Sequence, residues 1–237
     1  LELVVKQRDQ YRNRRKSNGI YQIAIVGYTN AGKSTIFNQL TESDSLAEDR
    51  LFATLDPLTR QIKLPSGFET LVTDTVGFLQ KLPTSLIAAF RSTLEEVNEA
   101  DFILHIVDGS HSDQEQHQKT VYRILKELNA DTIPMLTVYN KKDLMDETFI
   151  PTHFPAIIIS AFDEDDMKRL ILKTEEEIKE TWASYRLTVK PSEARLLNQL
   201  SRETIVIDQA FNDETNEYMI SGYMQKEHPL QRLLKES

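Results

Sequence analysis

An α/β fold built on a mostly parallel six-stranded sheet is what this 237-residue sequence predicts, and three observations predict it. Short, nearly uninterrupted apolar runs alternate with amphipathic helical stretches, a pattern that suits strands buried on both faces. The first such run passes through a glycine-bearing loop, Gly27 to Ser34, straight into a helix-like segment. After Tyr185 the rhythm changes to short strands around one helix, which predicts a second, small C-terminal α/β domain.

In chain order, residues 1–18 form a basic segment in which Lys6, Arg8, Arg12, Arg14, Arg15 and Lys16 face only Glu2 and Asp9. It reads as the remnant of a linker helix, which either meets RNA phosphates or is a solvated helix end. Asn18-Gly19 breaks it. The main domain, 19–185, opens with the strand Tyr21–Val26 and the helix Ser34–Leu40. Gln61–Leu64 and Phe68–Thr73 flank the turn Pro65-Ser66-Gly67 and form an antiparallel pair. Strands follow at Phe102–Val107, Pro134–Tyr139 and Ala156–Ile159, with helices at Ser85–Asn98, Gln114–Leu128 and Asp165–Tyr185. In the small domain, 186–237, Arg186–Val189 is a strand and Pro191-Ser192 starts a helix to about Leu200. Thr204–Phe211 and Glu217–Met224 make a hairpin around the polar stretch Asn212 to Asn216.

The chain has no cysteine, which excludes disulfides and thiolate metal sites and fits a reducing, cytoplasmic compartment. No apolar run approaches the roughly 20 residues of a membrane-spanning helix, so no membrane partner is expected. The sequence starts at Leu1 rather than at methionine, so a longer parent protein is expected. A net charge of −9 argues against a general nucleic-acid binder, and no DNA partner is expected.

The chemistry is concentrated at strand ends. Gly27, Tyr28, Thr29, Asn30, Ala31, Gly32, Lys33 and Ser34 fit the phosphate-loop pattern, with Thr35 beginning the helix. Backbone amides there wrap polyphosphate oxygens, Lys33 reaches the β- and γ-phosphates, and the Ser34 hydroxyl ligates Mg²⁺. Asp74, Thr75, Val76 and Gly77 follow an apolar run. A carboxylate at that place holds a Mg²⁺-bound water, and the Gly77 amide meets the γ-phosphate. Asn140, Lys141, Lys142 and Asp143 close another strand. The Asp143 carboxylate accepts from the two neighbouring donors of guanine, which adenine does not offer. Ser160, Ala161 and Phe162 would supply amides to the base oxygen. Together these predict a guanine-nucleotide site for GTP and GDP. Between the first two motifs lies Phe52, Ala53, Thr54, Leu55 and Asp56, followed by Pro57. A threonine in this loop completes the Mg²⁺ shell only while the γ-phosphate is present, with Thr54, Thr59 and Thr35 competing for the role.

Gly27–Thr35, Leu51–Pro57, Asp74–Phe78 and Ala89–Glu96 (Ala-Phe-Arg-Ser-Thr-Leu-Glu-Glu) together resemble the HflX family of translational GTPases, over essentially the whole chain. The resemblance implies a P-loop GTPase domain with Ser34 and Thr54 as Mg²⁺ ligands. It implies association with the large ribosomal subunit, through rRNA and protein, and GTP-dependent ribosome splitting by full-length members. It also implies an N-terminal domain joined through a helical segment, of which Leu1–Ser17 resembles the last stretch.

Hydrolysis needs an in-line water and charge compensation. Where Ras-like enzymes carry glutamine, directly after Gly77, this chain has Phe78, which cannot orient water; Gln80 is two residues on. Slow intrinsic turnover is therefore expected, with Lys33, Asn30 and Gly77 as the catalytic set. Several glutamine-lacking GTPases use an asparagine at the position of Asn30 to bind K⁺, so K⁺ is a second expected cofactor. The alternative class is a nucleotide-dependent binding module for a non-ribosomal protein, in which hydrolysis is incidental. His105, His111, His117, His153 and His228 show no metal spacing and read as structural or exposed. The lone tryptophan, Trp182, is expected to pack at the junction with the small domain.

Overall fold

The structure, a computed structural model, describes residues 20–42, 58–75 and 97–235. Its main sheet has six strands: β1 Tyr21–Gly27, β2 Leu58–Lys63, β3 Glu69–Asp74, β4 Phe102–Asp108, β5 Met135–Asn140 and β6 Ala156–Ile158. Their order is β2-β3-β1-β4-β5-β6, parallel throughout except for the β2–β3 hairpin. That is the predicted sheet, including the antiparallel pair around Pro65-Ser66-Gly67.

Alternation within the apolar runs explains the layers. Tyr21, Ile23 and Ile25 of β1 point to one face, where Ile36, Phe37 and Leu40 of helix α1 (Lys33–Glu42) and Met167, Leu170 and Ile178 of helix α3 (Glu164–Thr181) cover them. Ala24 and Val26 point to the other, against Val121, Ile124 and Leu125 of helix α2 (Gln114–Glu127). Because both faces are covered, the central strands run largely apolar, interrupted by buried polar residues such as His105 of β4 and Thr137 of β5, and that pattern makes them legible. Of the expected helix Ser85–Asn98, Val97 and Asn98 belong to a 3-10 turn, Val97–Glu99, and the remainder lies outside the described residues.

Asp163 caps α3, its carboxylate accepting the amides of Asp165 at 2.9 Å and Asp166 at 3.0 Å. The helix ends at Thr181, short of the expected Tyr185, because a two-residue rhythm takes over at Ala183. Strand β7 (Ala183–Val189) buries Tyr185, Leu187 and Val189 and exposes the residues between them. With β8 (Ile205–Asn212) and β9 (Glu217–Met224) it makes an antiparallel sheet of order β7-β9-β8, packed with helix α4 (Ala194–Glu203) around Leu200, Ile220 and Leu230. Trp182 lies edge-on to Tyr21 and Phe68 at 5.3 and 5.4 Å, in a cluster that Ile205 of β8 and Tyr223 of β9 also join, so main-sheet and small-sheet residues share that core.

Register positions the site. Asp74 lies beside Ile25, Gly27 beside Ile106, and Asp108 beside Asn140. The C-terminal ends of the parallel strands are level, and the loops that leave them share one edge of the sheet, where ligands bind in open α/β sheets.

Candidate nucleotide-binding site

The loop leaving β1 is shaped by one side chain from β5. Asn140, 3% exposed, donates from Nδ2 to the Ala31 carbonyl at 2.9 Å, and its Oδ1 accepts the Ala161 amide at 3.0 Å. A Cβ on Gly32, whose φ is +95°, would land on that Asn140 amide nitrogen, so the position admits only glycine. Asn30 also has positive φ, at 62°, a conformation asparagine tolerates. The Tyr28 ring stacks on His117 of α2 at 3.8 Å and 6°. Beneath this part of the loop lies a cavity of about 160 Å³ that Thr29 and His105 help to line. The His105 ring is buried, its Nδ1 has no partner among the described residues, and burial holds its pKa down at about 3.

Lys33 begins α1 and is 7% exposed. Its ammonium donates to the Tyr28 carbonyl at 2.9 Å. Burial lowers its pKa to about 8, against the pull of Asp74. The Ser34 hydroxyl donates to Asp74 Oδ2 at 2.8 Å, while Asp74 Oδ1 is buried with no partner among the described residues. Burial raises the Asp74 pKa, with the Ser34 hydrogen bond and Lys33 opposing. Thr75 turns back into the sheet, its hydroxyl donating to the Ile25 carbonyl at 2.6 Å. The Thr59 hydroxyl pairs with Thr73 at 3.0 Å within the β2–β3 hairpin, and Thr35 lines the cavity beside Ser34.

Lys141 adopts a left-handed backbone with φ 68° and pairs with Asp108 at 2.6 Å. Burial works to raise the Asp108 pKa, but hydrogen bonds from Lys141 and Ser110 hold it below the usual carboxylate value. Lys142 reaches Asp166 at 3.1 Å, and Asp143 Oδ1 accepts the Ser160 hydroxyl at 2.7 Å. The amides of Ser160 and Ala161 are held by Asp166 and Asn140, at 3.0 Å each, and Phe162 is 82% exposed at the rim. Between the two loops opens a cavity of about 390 Å³, with Lys33 and Ser34 at one end and Asp143 and Ala161 at the other. Phe52, Ala53, Thr54, Leu55, Asp56, Val76 and Gly77, with Phe78 and Gln80, lie outside the described residues.

Sequence reasoning missed Asp108 and Asp166. Asp108 left a faint signal, since it ends a strand beside a glycine as Asp74 and Asn140 end theirs. Asp166 left none, because it sits among Asp163, Glu164 and Asp165 and looks like one more helix-start acid.

Residues 22–141 match the family model described as 50S ribosome-binding GTPase. The chain is 50% identical to GTPase HflX of Alkalihalophilus pseudofirmus over 100% of its own length and 57% of that protein. To GTPase HflX of Caldanaerobacter subterraneus subsp. tengcongensis it is 43% identical, over 90% of its own length and 50% of that protein. The chain thus spans about half the length of the curated relatives it matches. A solved structure of a GTP-binding protein from the archaeon Sulfolobus solfataricus, in complex with GDP, matches with a TM-score of 0.50 at 25% identity, covering 73% of this chain and 60% of that one. With a family match running from β1 to β5 and curated relatives at 50% and 43% identity, this chain belongs to the 50S ribosome-binding GTPase family, among the HflX GTPases.

Proposed function

We propose that this chain binds GTP and GDP in the cavity between the two loops and hydrolyses GTP slowly. The observation that carries the reading is Asn140, whose one side chain holds both the phosphate loop, at Ala31, and the loop beside Asp143 that would read guanine. In this reading the amides from Asn30 to Ser34 cradle the phosphates, Lys33 turns from the Tyr28 carbonyl to the β- and γ-oxygens, and Asp143 accepts from the base. The amides of Ser160 and Ala161 are engaged by side chains, so one of them would have to be released to meet the base oxygen.

Mg²⁺ fits the residues present. The Ser34 hydroxyl and Asp74 converge, and the unpartnered Asp74 Oδ1 is an acceptor for a metal-bound water. Bound there with the phosphates, Mg²⁺ would neutralise charge on the β- and γ-oxygens. Thr54 is proposed as a further ligand and Gly77 as the γ-phosphate amide. Asn30 is proposed to help hold K⁺, which would supply positive charge in the absence of a glutamine after Gly77.

The proposed domain limits are a linker remnant at 1–18, a nucleotide-binding unit at 19–185 and a small C-terminal unit at 186–237. The proposed partner of the whole protein is the large ribosomal subunit, in the cytoplasm, with ribosome splitting as its GTP-dependent output. Among the described residues no helix is long and apolar enough to cross a membrane. Titration of the chain with GDP, GTP and ATP in Mg²⁺ tests the nucleotide reading, which equal affinity for ATP would sink. Co-sedimentation of the chain with large subunits, with and without a GTP analogue, tests the partner.

A further inference from the structure

We infer that Asp166 is a positioning residue for guanine selection, fixing Ser160 and Lys142 and through them the Asp143 carboxylate that reads the base. The inference rests on the guanine-nucleotide reading of the cavity and deepens it.

Asp166 lies in the first turn of α3 and is 3% exposed. Its Oδ2 accepts the Ser160 amide at 3.0 Å and the Lys142 ammonium at 3.1 Å, while Oδ1 accepts Lys142 at 3.2 Å and Arg169 at 2.7 Å. Ser160 in turn gives its hydroxyl to Asp143 Oδ1 at 2.7 Å. Lys142 is the residue directly before Asp143, and its own amide donates to the Ile159 carbonyl at 3.0 Å. One buried carboxylate therefore grips the reading carboxylate from two sides, through the hydroxyl donor that orients it and through its chain neighbour. The ordinary duty of an acid at this place, capping the helix, is already discharged by Asp163. The pair with Arg169 is a common surface arrangement. The bond to the Ser160 amide is different in kind, because losing it strands a buried donor in the reading loop.

If Asp166 acts through Asp143, its loss weakens recognition of one atom group on the base. Inosine nucleotides lack the exocyclic amine that Asp143 is read to accept, so they separate positioning from general support. The test uses the full 237-residue chain with GDP and IDP affinities measured calorimetrically, for the unmodified chain, Asp166→Ala and Asp166→Asn. Asp166→Ala is expected to lose on the order of tenfold in GDP affinity and much less for IDP, narrowing the GDP-over-IDP preference at least about threefold. Asp166→Asn keeps an oxygen for the Ser160 amide and is expected to recover most of that preference. In steady-state hydrolysis KM for GTP is expected to rise while kcat stays within about twofold. A folded Asp166→Ala that keeps the unmodified preference overturns the inference, even if both affinities fall together. Where Asp166→Ala does not fold, Asp166→Val, which fills more of the carboxylate's place and is unable to accept from the Ser160 amide or Lys142, carries the same ratio test, and an unchanged ratio there overturns it equally. Absence of any GDP-over-ADP preference in the unmodified chain would instead count against the guanine reading itself.

Discussion

Ser34 and Asp74 are joined by a 2.8 Å hydrogen bond that ties the first turn of α1 to the end of β3. Deleting the hydroxyl removes the one printed donor to Asp74 Oδ2, beside an Oδ1 that is buried with no partner among the described residues. Ser34→Ala is therefore expected to lower GDP affinity about tenfold or more in Mg²⁺ and to leave it nearly unchanged in EDTA. Calorimetric titrations with and without the metal measure this, and a loss of equal size in both conditions would remove Ser34 from metal binding.

Lys33 predicts a conflict between stability and function. Its pKa falls from 10.5 to about 8 on folding, so the unfolded chain binds the proton more tightly. The cost is fully present below pH 8 and fades as pH rises toward the unfolded value. At about 1.4 kcal/mol per unit it comes to roughly 3 kcal/mol at neutral pH. Lys33→Met is expected to raise the unfolding free energy by a few kcal/mol while abolishing nucleotide binding. Urea melts of the two chains at pH 7 provide the comparison.

The same lysine sets a pH dependence of binding. Phosphates restore its proton affinity, so GDP affinity is expected to be flat up to about pH 8 and then to fall, approaching tenfold per unit. Titrations from pH 7 to 9.5 would show the break, and Lys33→Arg would shift it beyond the range.

His105 governs acid stability. Folding lowers its pKa from 6.5 to about 3, through burial first and then through His153 and Lys33. Its contribution to stability is intact above pH 6.5 and declines as pH drops toward 3, because only the unfolded chain takes up the proton there. Replacing it by leucine is expected to shrink the loss of unfolding free energy between pH 7 and pH 5 by about 2 kcal/mol. Denaturant midpoints at the two pH values, for both chains, decide it.

Asn30 separates two explanations of one residue. Its φ of 62° is reason enough for an asparagine, with no cation required. Asn30→Gly tolerates that backbone and removes the side chain. If K⁺ acts there, single-turnover hydrolysis by the unmodified chain is expected to be several-fold faster in K⁺ than in Na⁺, and Asn30→Gly to erase the difference. Equal rates for the unmodified chain in both salts would leave Asn30 a backbone residue only.

The main sheet was legible because its central strands are covered twice, which forces apolar residues at Ile23, Ala24, Ile25 and Val26 without a break. The C-terminal edge of α3 was not, since Ala183, Ser184 and Tyr185 satisfy a helical reading locally and are claimed by β9 through pairing with Met224, Tyr223 and Gly222. The two loops proposed to hold the phosphates and the guanine base stand out by residue type at strand ends. What joins them does not. Asn140 is 109 residues from Ala31, and Lys141 is 33 from Asp108, and only strand register brings either pair together.

The Asn140 side chain reaches both walls of the cavity, one through each of its terminal atoms. With the ends assigned as proposed, a fragment at the base end and one at the anion end both act on loops that this one side chain fixes. Two weak inhibitors, one chosen for each end and then linked, should gain more than the sum of their separate affinities, because the first already pays for the posture the second requires.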